Sequence, residues 1–301
     1  QEAGHGLVSD ERPLWIERIR LRLPLIEDAV STATSGGRLS EAAALLGPIW
    51  RYWQITGSPA AGADHLGPLL RAGYLPVGEP GARFMHALGT LEAYAGRLSD
   101  AVGHLTEAIR LWHELERPRE GLLSRANLGI AYFLHGDFTR SRKEFAECIA
   151  LARALGDQAL QVRLYLDAVR AAIRCRDASG ARRDLARRQQ ILDTISPTSP
   201  LETAQNLVYG ASISLLEGAY AQAGKEAEQA GQIFAELQNP EGLTLASQVV
   251  GRAAYWEGDL PEARRSMETA VAQARLTGST WLIGLSLGYL ATVVQASGVS
   301  G

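Results

Sequence analysis

Gly96-Arg97-Leu98-Ser99-Asp100-Ala101 and Gly136-Asp137-Phe138-Thr139-Arg140-Ser141 are the two stretches that decide the fold of this chain. Each has a glycine, a polar or small residue, an apolar residue, two spacers and a small residue. The pattern returns as Gly218-Ala219-Tyr220-Ala221-Gln222-Ala223 and Gly258-Asp259-Leu260-Pro261-Glu262-Ala263, at the same interval. A fixed period of about 40 residues indicates a repeat architecture.

Three weaker marks extend the series in both directions. A degenerate copy, Arg176 to Ala181, begins one period after Gly136, and Gly57 lies close to one period before Gly96. Gly298 lies one period after Gly258. The series therefore predicts a turn at each of seven positions along nearly the whole chain.

Each mark has the features of a tight turn between two helices. Glycine adopts the left-handed conformation after a helix C-terminus, and Asp, Ser or Thr then caps the next helix. Small residues seven positions before the turns would let paired helices approach closely: Gly89, Gly129, Ala211, Gly251 and Ala291. We expect looser connections between repeats, at Arg117-Pro118-Arg119, Leu155-Gly156-Asp157, Gln238-Asn239-Pro240 and Thr277-Gly278-Ser279. No stretch alternates with a period of two, so the predicted class is an all-α repeat of helix hairpins without a sheet.

Composition narrows the function classes. The formal net charge of -3 argues against general nucleic-acid binding, which needs many clustered Lys and Arg. Two cysteines are too few for a disulfide framework and favour a reducing, cytoplasmic setting. We expect no apolar run of the roughly 20 residues that a membrane span needs. No membrane partner and no cofactor are expected.

The units resemble tetratricopeptide repeats. Leu128-Gly129 and Tyr132 fit the family's first helix, and the second helix is matched by Ala101-Leu105-Ala108, Ala263-Met267-Ala270 and Ala223-Ala227-Ala230. The unit here is longer than the family's usual one of about 34 residues. The third unit also departs from the family, with Val169 and Arg188 where small residues are expected. The resemblance implies an all-α, right-handed superhelical α-solenoid of stacked helix pairs, which bind a partner on a concave face.

Residues 15 to 100 resemble the region that follows the nucleotide-binding module in bacterial STAND-class regulatory ATPases, the MalT-like proteins with LuxR-type or SARP-type DNA-binding ends. The resemblance rests on an aromatic helix read as Leu45-Leu46-Gly47-Pro48-Ile49-Trp50-Arg51-Tyr52-Trp53, then Gly57 and Leu66-Gly67-Pro68-Leu69-Leu70. Leu25 to Val30 with Gly37, and Ala82-Arg83 with Ala87-Leu88-Gly89, fit the flanking helices. The resemblance implies that the chain is the sensor and protein-interaction region of a signal-transduction regulator. The expected role of that regulator is control of transcription, and its ATPase would lie upstream of this chain.

The ends fit that interpretation. The chain has no initiator Met, and Gly298 stands where a further turn is expected, so both ends are predicted to be boundaries within a longer polypeptide. We expect one continuous solenoid, with an N-terminal helical segment over 13–75 leading into tetratricopeptide-like repeats over 76–298.

A candidate binding face can be selected from the small residues that lie seven positions before the turns. The residue directly after each of them is predicted to face a partner, together with residues about one helical turn away on the same face. A face mixing Arg, Gln and aromatic side chains suits a protein or peptide partner, or a small-molecule inducer. The predicted binding residues are Arg51, Gln54, His86, Thr90, Tyr94, Phe133, Arg170, Arg174, Ser212, Gln248, Arg252, Tyr255 and Trp256.

Other features have more ordinary interpretations. Trp50, Tyr52 and Trp53 are predicted to be core, because an aromatic stripe at helical spacing normally seals packing. Eight Arg between Arg163 and Arg188 favour a solvated face or an acidic partner over nucleic acid, in view of the overall charge. No catalytic or metal site is predicted, because no His pair or Cys cluster has ligand spacing. A stand-alone adaptor that binds a partner peptide and an RNA-binding solenoid stay open as alternatives.

Overall fold

The computed structural model describes residues 3, 6–7, 11–74, 77–195 and 199–299, and within them it contains helices and turns but no strand. The chain divides into two compact units, residues 1–144 and 145–301. The predicted all-α class is therefore confirmed.

In the first unit, an N-terminal group of helices precedes two hairpins of the repeated pattern. Its helices are α1 (Arg12–Ser35), α2 (Leu39–Leu46), α3 (Trp50–Ile55), α4 (Pro59–Arg71), α5 (Gly78–Tyr94), α6 (Leu98–Glu114) and α7 (Pro118–Leu134). The unit boundary falls within α8 (Phe138–Ala154). From α5 onward the helices begin at a nearly regular interval, and two successive helices make one repeat.

The second unit continues the same spacing. Its further helices are α9 (Gln158–Arg174), α10 (Ala178–Ile195), α11 (Pro200–Leu216), α12 (Tyr220–Glu236), α13 (Pro240–Glu257), α14 (Leu260–Thr277) and α15 (Thr280–Val299). Helices α9, α11 and α13 are each followed by a partner, α10, α12 and α14, that packs against them. We call the leading member of each pair a first helix and the trailing member a second helix.

The predicted turns are confirmed at six of the seven marks. The glycines at 57, 96, 136, 218 and 258 have φ between +74° and +87°, and Arg176 takes the same left-handed place with φ 59°. At each of these positions the next N–H bonds to a carbonyl five positions back, as Arg97 N does to Glu92 O at 2.9 Å. This bond closes the helix end and reverses the chain.

Two expectations about connections are wrong. The stretches between repeats are not looser, because those after α6, α8 and α12 end in the same kind of bond, for example Arg117 N to Trp112 O at 2.9 Å. Glu116, Gly156 and Gln238 supply the left-handed residue there. Gly298 is not a turn, since α15 stays helical to Val299.

The aromatic stretch also differs from its predicted single helix. A 3-10 turn, Gly47–Ile49, separates α2 from α3, because Pro48 has no N–H to give to an α-helical bond. The side chains of Trp50, Tyr52 and Trp53 are nevertheless buried, at 9%, 7% and 1% exposure, so their assignment to the core is confirmed.

Small side chains on the second helices form the interior of the hairpins. Ala101, Ala108, Ala223, Ala230 and other alanines of the pattern have no exposed surface. The predicted close approach is confirmed at two glycines: a Cβ on Gly89 would lie 2.8 Å from Leu105 Cγ, and one on Gly251 would lie 3.0 Å from Met267 Cε. Helix pairs can pack this tightly only where a side chain is missing.

Helix α15 differs from the other first helices. Thr280–Gly298 is long and apolar enough to cross a membrane by length and composition, with 17% of the window buried, contrary to the expectation that no run reaches that length. Within the described residues no second helix follows it.

Candidate functional site

The first helices lie side by side within each unit: α5 contacts α7, and α9, α11, α13 and α15 contact one another in series. Helices α5, α9, α11 and α13 also pack against the second helices that follow them, α6, α10, α12 and α14. The predicted binding residues lie on these first helices and on α3, which contacts α5. We call the side of the row that carries them the inner face of each unit.

In the first unit, four polar side chains form one network between α5 and α7. His86 Nδ1 lies 2.9 Å from Ser124 Oγ. Asn127 Nδ2 donates to Thr90 Oγ1 at 2.8 Å and lies 3.3 Å from His86 Nε2. Thr90 in turn donates to the His86 carbonyl oxygen at 2.6 Å. His86 and Thr90 were predicted from the sequence, whereas Ser124 and Asn127 were missed.

A short stack of rings continues this network toward α3. The Trp50 ring meets the His86 ring edge-on, with centroids 5.6 Å apart. The Arg51 guanidinium lies over the Trp50 ring, with Cζ 4.5 Å from the ring centroid, a cation–π contact. The predicted residues Arg51 and His86 are thus joined through Trp50, and Gln54 is half-buried on the same helix as Arg51.

The other two predictions in this unit fall in different surroundings. Phe133 is buried, at 6% exposure, and packs edge-on against Phe138. Tyr94 ends α5 and keeps 38% of its surface exposed. Thr90 is also buried, at 1% exposure, so Thr90 and Phe133 support the face from inside rather than present their side chains to a partner.

In the second unit, the inner face carries charges of both signs. Arg170 donates to Asp167 Oδ1 at 3.4 Å, and the two side chains are 32% and 14% exposed. Burial raises the pKa of Asp167, while Arg170 and Arg163 oppose that rise. A carboxylate held at such a depth needs a cation beside it to stay ionised.

Two further side chains extend this site across neighbouring helices. Tyr209 on α11 is 9% exposed. Burial raises the pKa of its hydroxyl, and the charges of Arg170 on α9 and Glu241 on α13 act on it too. We call Asp167, Arg170, Tyr209 and Glu241 the charged strip. The strip thus contains residues from three successive first helices, α9, α11 and α13.

The basic stretch does not form one patch. Arg182 is tied to the Glu217 carboxylate, with Nε 2.8 Å from Oε1. Arg188 is turned inward and is 2% exposed. Its guanidinium donates to the Val162 carbonyl oxygen at 3.3 Å, to Gln205 Oε1 at 2.8 Å and to Asn206 Oδ1.

Arg188 is an unusual core residue because these three acceptors of its guanidinium are all neutral. Burial lowers its pKa, and Glu202 opposes that effect only through space. It stands where the other second helices have a small residue, as Ala108 and Ala230. The amides of α11 therefore serve to solvate a buried charge.

The remaining predicted residues of the second unit lie along α9, α11 and α13. Arg174 is exposed at the end of α9, and Ser212 bonds back to the Val208 carbonyl oxygen of its own helix. Gln248 is buried and donates to Ser286 Oγ at 2.8 Å. The Arg252 guanidinium lies 5.0 Å from the Tyr289 ring centroid, which joins α13 to α15.

Tyr255 and Trp256 form an aromatic group at the end of α13. The Trp256 ring stacks on Tyr220, with centroids 5.9 Å apart and planes 12° from parallel, and it meets Tyr255 edge-on at 5.5 Å. Trp256 keeps 59% of its surface exposed. This group differs in character from the charged strip.

Four of the missed residues share one position in the repeat. Asn127, Asp167, Tyr209 and Tyr289 each lie two residues before the small-residue reference position used to select the face, so the same helical spacing extended by one more residue would have found them.

Metal binding finds no support in the part of the chain that the structure describes. No group of three or more His, Cys, Asp or Glu side chains there is arranged to hold an ion.

The fold is that of tetratricopeptide-repeat proteins. A Rap protein complexed with Competence and Sporulation Factor is similar over 98% of this chain and 95% of its own, with a TM-score of 0.56 and 11% identity. The quorum sensor NprR from B. thuringiensis, in its apo form, is similar over 89% of this chain and 81% of its own, with a TM-score of 0.55 and 15% identity.

A signal-transduction ATPase with numerous domains (STAND) that has a tetratricopeptide repeat sensor, from Pyrococcus horikoshii, is similar over 95% of this chain, with a TM-score of 0.55 and 13% identity. The present chain spans 44% of that protein. No family model and no curated protein sequence matches. At these identities the likeness establishes the fold.

Proposed function

We propose that this chain is the sensor and protein-interaction region of a STAND-type signal-transduction regulator, and that it binds an extended peptide segment on the inner face of the second unit. The charged strip carries the proposal. Arg170 and Asp167 offer a donor and an acceptor at partial burial, and Tyr209 adds a hydroxyl from the next first helix. A peptide presents N–H, carbonyl and charged groups at short intervals, and these groups can pair with the donors and acceptors of the strip.

The comparisons support the proposal at the level of architecture. The Rap protein is in complex with Competence and Sporulation Factor, and the ATPase from Pyrococcus horikoshii has a tetratricopeptide repeat sensor. In a regulator of this kind, ligand binding acts on a distant module only if the ligand has different affinities for two states of the repeats. Stacked hairpins suit that requirement because each contacts only its neighbours.

Binding to a peptide array tests the function. The probe is a set of short peptides that vary in net charge, displayed at equal density and incubated with the full chain. We expect selective binding of peptides that carry both an acidic and a basic group, and at least a tenfold loss for Arg170→Ala, because the strip then keeps two carboxylates and loses the cation that bonds to Asp167.

Matched variants separate the strip from general charge effects. Arg264→Ala removes an exposed arginine on α14 that pairs with Glu268, and should leave binding unchanged. Tyr209→Phe removes only the hydroxyl and should weaken binding without changing the unfolding midpoint. Equal loss for Arg170→Ala and Arg264→Ala would show that attraction is nonspecific and would contradict the assignment.

A further inference from the structure

Trp256 is the one tryptophan of this chain whose side chain lies largely in solvent. It keeps 59% of its surface exposed, whereas the other five, all of them within the described residues, are buried or half-buried. Its ring is nevertheless held in place, because Tyr220 stacks on it with centroids 5.9 Å apart and Tyr255 meets it edge-on at 5.5 Å. We call Tyr220, Tyr255 and Trp256 the aromatic group.

The exposed ring lies inside the series of repeats. Trp256 stands two residues before the left-handed Gly258, at the tip of the α13–α14 hairpin, and both α14 and α15 pack against α13. The equivalent residues of two other hairpins are Leu134 and Leu216, which are half-buried. A leucine is therefore enough for packing at this position, and the larger ring is not required by the hairpin itself.

Three other tryptophan rings carry an arginine of the same chain. The pairs are Arg18 on Trp15, Arg51 on Trp50 and Arg83 on Trp112, with Cζ 5.1, 4.5 and 5.9 Å from the ring centroid. These are cation–π contacts, in which the ring face attracts the guanidinium. Among the residues that the structure describes, no arginine or lysine lies over Trp256, although its side chain is the most exposed of the six.

The turns beside this ring are acidic. Residues 217–219 and 257–259 contain three carboxylates and no Arg, Lys or His: Glu217, Glu257 and Asp259. Glu217 is paired with Arg182, and Asp259 caps α14. Glu257 follows Trp256 directly, is exposed, and makes no hydrogen bond or ion pair with any other described residue. The tip therefore offers an open ring beside an uncompensated negative charge.

We propose that the aromatic group binds an arginine side chain presented by a partner protein, with Glu257 as its counter-charge. A guanidinium is planar and stacks on aromatic rings, as the chain's own arginines do on three other tryptophans. It has five N–H donors and no acceptor, which matches a surface whose charged groups are all acceptors. A neutral sugar needs donors as well, and the side chains of this tip supply them only through the two tyrosine hydroxyls.

This site is separate from the charged strip. Glu241 lies in the first turn of α13 and Trp256 in its last turn. The 15 positions between them correspond to about 22 Å along the helix axis, at about 1.5 Å per residue. One side chain of a ligand cannot reach both places, so the two sites can be tested independently.

Fluorine NMR of the full chain labelled with 5-fluorotryptophan tests the proposal. Trp256→Leu identifies the signal of Trp256 by its loss. The probe is a capped Gly-Ser peptide that carries two arginines, titrated to about 5 mM because isolated contacts of this kind are weak. We expect the Trp256 signal to move and that of the buried Trp53 to stay. The same peptide with citrulline, which keeps the planar group but not its charge, should bind about tenfold more weakly.

Matched variants separate the site from general attraction. Glu257→Gln should weaken binding of the arginine peptide by about two- to fivefold, as expected for one exposed charge. Glu228→Gln, at an exposed carboxylate of α12, changes the net charge equally and should have no effect. Arg170→Ala, in the charged strip, should also leave the response of Trp256 unchanged. Trp256→Leu should keep the circular dichroism spectrum of the wild type, because leucine occupies the same position in other hairpins.

Several results would overturn the proposal. A Trp256 signal that stays in place throughout the titration would exclude an arginine site here. Equal affinity for the citrulline peptide would show that charge plays no part, and a stronger response to cellopentaose would assign the rings to a sugar. Equal weakening by Glu257→Gln and Glu228→Gln would show nonspecific attraction. Binding of acetyl-arginine amide as tight as that of the peptide would point to a small molecule instead of a partner protein.

Discussion

Gly89→Ala is expected to destabilise the first unit although alanine favours a helix. Gly89 lies in the middle of α5, where its Cα faces α6. An added Cβ would lie 2.8 Å from Leu105 Cγ, 3.0 Å from Leu105 N and 3.1 Å from the Ala101 carbonyl oxygen. Two of these three atoms belong to the backbone of α6, so the neighbours cannot make room by a side-chain rotation.

The magnitude follows from two opposing terms. Alanine gains about 1 kcal/mol over glycine in a helix interior. Overpacking of a well-filled interior costs about 1–3 kcal/mol, and the backbone contacts place Gly89 toward the upper end of that range. We expect a net loss of about 1–2 kcal/mol, which lowers the unfolding midpoint by about 2–8 °C for a unit of this size.

Gly103 supplies the matched control within the same hairpin. It lies in α6, is exposed, and a Cβ there would meet nothing within 4 Å. Gly103→Ala should therefore raise stability by about 1 kcal/mol through helix propensity alone. Thermal unfolding followed by circular dichroism measures both variants. A Gly89→Ala protein as stable as Gly103→Ala would refute the close packing of α5 against α6.

Three further variants test the turns, one ion pair and one cap. Arg176→Gly should stabilise the second unit by about 1 kcal/mol in urea titrations, because arginine at φ 59° is strained; an unchanged midpoint would argue against that strain. The hydrogen bond with Glu92 raises the pKa of His104, so this pair should stabilise the unit fully below about pH 6.5, the ordinary histidine value, and lose that contribution as pH rises through the higher folded-state pKa. Unfolding midpoints across pH 6 to 9 should show this fall in the wild type and not in His104→Gln. Ser199→Ala removes the side chain that accepts from Glu202 N and should cost about 1 kcal/mol in the same titrations; equal stability would show that the capping box is dispensable.

The repeat and its turns were readable from the sequence because their causes are local. A left-handed residue after a helix, a cap before the next one and a small residue at the tightest contact each act within one hairpin. This is why Gly96, Gly136, Gly218 and Gly258 marked their turns correctly. It also explains why Trp53 could be assigned to the core from helical spacing.

The tertiary structure alone decided which polar residues lie near the surface of the first helices and which are buried in the core. Asp167, Tyr209 and Glu241 come from three helices, and their effect on one another depends on how those helices stack. Arg188 looked like part of a solvated basic stretch, yet it is buried because the amides of α11 supply its acceptors. Gly298 matched the turn spacing but stayed helical, with nothing within 4 Å of its Cβ position. Spacing along the chain determines which residues lie on the same face of a helix. The neighbouring helices in space determine whether that face is covered.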